Sequence, residues 1–201
     1  MTAFRIYNGE ARNVSDKLFF GEDSGIRDWD DIKYPVMLDM NREMANEFWV
    51  EDEIKLGKDI EEYRTKLSEA ERHAYKMQTG ALNWLDSIAT DFNMLLAFMT
   101  TDSSIRSNIA LINFFEVLHN RSYQYLTSSV LNGQEKKQTF EDVRKVPELV
   151  HRNELILKPI EKMKEGMRKH IASDLLPESQ RISQDELLQL IYEGIIAYMC
   201  L

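Results

Sequence analysis

Apolar positions along this chain recur every three or four residues and rarely alternate, which is the spacing of helices packed by one or more faces. Eight Gly and four Pro are too few for an all-β fold with its many turns. Residues 1–34 read as an irregular arm with a turn-rich patch at FFGEDSG, and residues 35–201 as a run of helices joined by short polar links. YPVMLDMNREMANEFW fits a helix from near Pro35, and a shorter one is expected within EDEIKLGKDIEEYRTKL. Ser68 and Glu71 form a capping-box pattern that opens a long helix through GALNWLDSIATDFNMLLAF to near Met99. The polar cluster TTDSS starts another from Ser103 to Leu131, with Asn132 and Gly133 read as its stop. GQEKKQTFEDVRKV reads as a linker, followed by a charged helix from Pro147 to near Ala172 that is expected to bend at Pro159. A second capping box, Ser183 and Glu186, opens QDELLQLIYEGIIAYMCL.

The two long helices are apolar around most of their circumference in their middles, which predicts burial on several sides in the centre of a bundle. The terminal IIAYMCL carries no charge and no capping Gly. A free helix end there would leave carbonyls and the apolar Ile195, Ile196 and Met199 in water, so another polypeptide is expected to cover it.

Composition narrows the function classes. A hydrophobic fraction of 43% is that of an ordinary globular protein, and a formal charge of -9 argues against nucleic acid, whose phosphates require clustered Lys and Arg. The single Cys200 excludes an internal disulfide. MTAFRIYNGEARN lacks an apolar signal core and no run is long enough to span a bilayer, so no membrane association is expected and the chain reads as cytoplasmic.

The chemistry sits in FFEVLHNRSYQYL. Offsets of three and seven bring Glu116, His119 and Tyr123 onto nearly one helix face. Glu-x-x-His on a bundle helix is a ligand pair of dinuclear carboxylate metal sites, which also take single acids from neighbouring helices. Carboxylates suit hard oxidised metals and can bridge two of them, while imidazole adds a nitrogen donor. Phe114, Phe115, Val117 and Leu118 surround the pair, and a buried Glu needs a cation. Asp86, in the apolar NWLDSIA of the preceding long helix, is a third candidate ligand; the competing reading is an Asp hydrogen-bonded to a neighbouring helix. The other Glu-x-x-His, Glu148 and His151, lies among charges after Pro147 and reads as solvated, and His73 and His170 lie among charges with no ligand geometry.

NWLDSI, FFEVLHNRSYQYL and LIYEGIIAYMCL, with FFGEDSGIRDWDDIKYP and NEFW before them, resemble in order the core segments of the ribonucleotide reductase small subunit, the radical-generating R2 protein. That resemblance implies a ferritin-like all-α bundle and a di-iron or di-manganese cofactor. It implies Asp86, Glu116 and His119 as ligands of the first metal, Tyr123 as the radical site and Trp49 as an electron-transfer residue. In the family, the helix resembling LIYEGIIAYMCL continues into a glutamate ligand, and a second Glu-x-x-His follows. The expected reading is therefore an N-terminal half of the bundle, completed by a complementary C-terminal half that carries the second-metal ligands. Such pairs are expected to form an R2-type dimer and serve the large subunit. Two rival readings remain: an R2-like di-iron oxidase or oxygenase, and a non-catalytic helical interaction module.

Overall fold

The computed structural model describes residues 17–22 and 26–201; most of the expected N-terminal arm, residues 1–16, and the tip of its turn-rich patch, residues 23–25, lie outside the described residues. The described chain is helical: α1 Val36–Asn46, α2 Gly57–Thr65, α3 Glu69–Met99, α4 Ser103–Val130, α5 Gly133–Val143, α6 Pro147–Ile171 and α7 Gln184–Tyr198, with short 3-10 turns at Glu51–Glu53, Ser173–Leu175 and Glu178–Gln180. No helix among the described residues is long and apolar enough to cross a membrane.

The helix starts follow local chemistry. Glu71 accepts from the Ser68 backbone N–H at 2.7 Å while the Ser68 hydroxyl accepts from the Glu71 N–H at 3.3 Å, so two orphan donors at the entrance of α3 are satisfied reciprocally. Ser183 and Glu186 do the same for α7. The expected linker after Leu131 is instead a helix. Asn132 does not stop α4; it caps α5, its side chain accepting from the N–H groups of Gln134 and Glu135 while Glu135 returns to the Asn132 N–H. Thr139 and Val143 then bury one face of α5, which supplies the tertiary support that its polar composition hides. α6 runs through Pro159 as one assigned helix.

Residues group into two compact units, one of Phe48–Thr90 and Phe114–Leu155, the other of the described residues up to Glu47 with Asp91–Asn113 and Ile156–Leu201. In the latter, Phe92, Met163, Leu187 and Ile191 are sealed from solvent. Phe92 stacks on Tyr198 at 4.7 Å between centroids. Gly194 permits that closeness, because a Cβ there would stand 2.9 Å from the Met163 sulfur and 3.3 Å from the Phe92 ring. Near the start of the described chain, Phe20 adopts φ 58 and packs its ring 5.3 Å from that of His170.

In the unit that holds the candidate residues, Leu85, Ile88 and Ala89 of α3 and Leu118 of α4 are buried. Asn120 of α4 donates to the Asn83 carbonyl at 3.0 Å and to the Ser87 hydroxyl at 3.3 Å on α3, which fixes the register of the two helices. Close packing of α3 on α5 passes over Gly80, where a Cβ would lie 2.8 Å from Val143 Cγ1. The expected burial of both long helices on several sides is incomplete: Phe114 and Val117 on α4 are exposed, as is Met94 on α3. Hydropathy reports what water would reject, and among the described residues these side chains are only partly covered.

Candidate metal centre

Asp86 on α3 and Glu116, His119 and Tyr123 on α4 lie within the same unit. Helical spacing puts His119 Nδ1 3.5 Å from Glu116 Oε2, and the two side chains are 45% and 17% exposed. Glu116 is therefore largely withdrawn from water and His119 is not. Burial pushes the Asp86 carboxyl from its ordinary 3.8 up to about 6; the nearby Glu116 adds to the rise and His119 opposes it. Asp86 Oδ2 is buried and accepts no hydrogen bond. Like charges converging on a desolvated carboxylate are unfavourable without a cation. The phenol of Tyr123 responds to the same field: burial raises it first, then Asp86, then Glu116.

This donor set fits one position of a dinuclear carboxylate site by chemistry, with two carboxylates, one of them carrying an unpartnered oxygen, and one imidazole nitrogen turned toward a carboxylate. Its closure is less advanced than the spacing leads one to expect. Among the described residues no three His, Cys, Asp or Glu side chains come close enough together to hold a metal ion. The expected wall around the pair is partial as well, since Leu118 is buried but Phe114 and Val117 face solvent.

Trp49 lies in the segment between α1 and α2 and lays its indole over His119, with ring centroids 6.2 Å apart and planes 26° from parallel. Beside it Phe48 stacks on Phe114 at 5.9 Å. Two residues beyond Trp49, Glu51 forms an ion pair with Arg121, which lies two residues beyond His119. Sequence inspection passes over Glu51, Arg121 and Asn120, because their partners are 70, 70 and 37 residues away and no local pattern announces them. Glu148 and His151 are exposed. His170, which offers no ligand geometry in the sequence, is half-buried with Nδ1 unpartnered, and burial lowers its pKa.

The sequence model of the family "Ribonucleotide reductase, small chain" matches residues 26–198. The ribonucleoside-diphosphate reductase subunit beta of Halalkalibacterium halodurans is 34% identical over 158 residues, which are 79% of this chain and 46% of that protein. Among solved structures, the ribonucleotide reductase R2 subunit of Clostridium botulinum superposes with a TM-score of 0.80 at 25% identity, covering 98% of this chain and 56% of the other. The dimanganese(II) form of NrdF from Streptococcus sanguinis superposes with a TM-score of 0.62 over 87% of this chain and 66% of its own; at 17% identity this likeness speaks for the fold alone. The chain spans about half the length, or less, of the curated relatives it matches. With an all-α architecture shared with R2 structures over nearly its whole length and a family match that runs through both long helices, this chain belongs to the ribonucleotide reductase small chain family.

Proposed function

We propose that this chain is the part of an R2-type subunit that holds the first metal of a di-iron or di-manganese site, through Asp86, Glu116 and His119, and that carries the oxidisable Tyr123. The observation that bears the proposal is the buried, unpartnered Oδ2 of Asp86 in the field of Glu116 and His119. A fold maintains such a partly buried carboxylate at a cost of about 1–2 kcal/mol unless a cation answers it. The bound metals supply one-electron oxidising chemistry, and the protein contributes donor geometry, exclusion of water and tuning. Trp49, stacked on the ligand imidazole, is the proposed entry point for an electron. In our reading a complementary C-terminal half supplies the ligands for the second metal, and the radical equivalent serves ribonucleotide reduction on a large subunit.

A second reading, a helical interaction module without catalysis, draws support from the incomplete convergence of the three donors and the exposed Phe48, Phe114 and Val117. Titration with Mn(II) followed by electron paramagnetic resonance separates the two. The metal-centre reading expects the free-ion signal to fall with the chain present and to be restored by Glu116→Gln or His119→Ala. An unchanged signal, with the chain alone and together with a C-terminal half of a relative, gives the module reading the case. If metal binds, Tyr123→Phe tests the radical assignment, since it should abolish any tyrosyl signal formed after Fe(II) and oxygen while leaving metal uptake intact.

A further inference from the structure

The segment that carries Trp49 touches α4 at two points that need not coincide. Val50 is extended, with φ -128 and ψ 152, so Trp49 and Glu51 on either side of it project in the same direction, toward α4. On α4 the groups they meet, His119 and Arg121, are also two residues apart, but on a helix that offset turns the side chains by roughly 200°. The two contacts therefore engage side chains that leave the helix in different directions. A segment held by two such side chains can neither roll nor slide without breaking one of the contacts.

We propose that the Glu51–Arg121 ion pair is a positioning clasp that seats the Trp49 indole on the His119 imidazole. The inference rests on the reading of Trp49 and His119 given above for its purpose, but not for its geometry. Glu51 is only 13% exposed and its Oε2 is buried with no hydrogen-bond donor, so Arg121 is the cation that makes its burial tolerable. Arg121 itself is 62% exposed and costs little to replace. Without it, the cheapest relief for a stranded carboxylate is to swing into water. Trp49, two residues away on an extended backbone with no helix to anchor it, would go with it. The clasp thus converts a partly exposed ion pair, weak as a source of stability, into control over an aromatic contact at the site.

The test is optical and requires no metal. In a Trp29→Phe/Trp84→Phe background Trp49 is the sole indole of the full chain. Contact with an imidazole quenches indole emission, so His119→Ala sets the unquenched level. Glu51→Gln and Arg121→Gln are each expected to raise Trp49 emission toward that level and lower its anisotropy, with far-ultraviolet circular dichroism and the urea midpoint unchanged. The exchanged pair, Glu51→Arg with Arg121→Glu, is expected to restore both signals. Wild-type emission in either single variant, or failure of the exchange to restore what the singles lose, overturns the clasp. Loss of helix signal in Glu51→Gln shifts the decision to Arg121→Gln and Arg121→Lys, the latter expected to retain the quench. Because the readout is metal-free, absence of metal binding would sink the proposed function and leave this result standing, and the reverse also holds.

Discussion

Replacing Asp86 by Asn isolates the physical tension in the site. The carboxyl is raised from 3.8 to about 6, chiefly by burial and next by Glu116, with His119 acting the other way. A folded-state pKa above the unfolded value means that the native state binds the proton more tightly. The associated stability is therefore fully present below about pH 4 and is lost as pH rises toward and through 6. A rise of that size corresponds to ~3 kcal/mol, and since the group is only partly buried, solvent screening reduces this to about 1–2 kcal/mol. Asn is nearly isosteric with Asp and cannot ionise. Urea unfolding of the metal-free chain is therefore expected to show Asp86→Asn more stable than wild type by about 1–2 kcal/mol at pH 7.5. The difference shrinks steadily between pH 6 and 4 and reaches zero near pH 4. Mn(II) should stabilise the wild type and not the variant, because a ligand that binds only the native state adds its binding free energy to folding. A pH-independent difference, or an Asn variant less stable than wild type at pH 7.5, refutes the claim that Asp86 is a desolvated and uncompensated carboxylate.

Two further outcomes probe the scaffold that brings the donors together. Gly80→Ala is expected to cost about 1–3 kcal/mol in urea unfolding, since its Cβ would meet Val143 Cγ1 at 2.8 Å and Thr139 Cγ2 at 3.3 Å, both on buried residues of α5; the control Gly57→Ala, with nothing within 4 Å, should be neutral or stabilising by up to about 1 kcal/mol. Asn132→Ala removes the side-chain acceptor of the α5 capping box and is expected to cost about 0.5–2 kcal/mol, visible as faster amide hydrogen exchange in the first turn of α5.

What could be read in the sequence was what depends on nearby residues. Ser68 with Glu71 and Ser183 with Glu186 announced two helix starts because each box closes within four residues. Asn132 and Glu135 carried the same signal and were misread, because an Asn-Gly pair after an apolar helix satisfies the rule for an end as well as for a beginning. Only the buried face of α5, with Thr139 and Val143, decides between them, and that burial is a tertiary fact. The proximity of Asp86 to Glu116 and His119 was expected from their order along consecutive apolar helices and from the family resemblance. How far His119 is exposed could not be expected, since hydropathy gives the preference of Phe114 and Val117 and not the presence of a cover. The Glu51–Arg121 pair was equally hidden, for an ion pair across 70 residues is set by how two segments pack.

The polar groups of this unit make the case for Asp86 by contrast. On α4, Asn120 is answered by Asn83 and Ser87, Arg121 by Glu51, and the Ser122 hydroxyl by the Leu118 carbonyl. Three buried oxygens nearby are left without a donor: Glu51 Oε2, Asn83 Oδ1 and Asp86 Oδ2. Asn83 is neutral and its amide nitrogen is already bonded to the Thr79 carbonyl at 2.9 Å, so its shortfall is about 1–3 kcal/mol at most. Glu51 has its charge matched by a guanidinium through the other oxygen. Asp86 has neither remedy: it forms no ion pair with Lys or Arg among the described residues, and its strongest charged neighbour is another carboxylate. An ionisable oxygen left unanswered beside a second carboxylate and an imidazole is what the proposed metal centre requires. Asp86, more than the Glu-x-x-His pattern, carries the metal-centre reading.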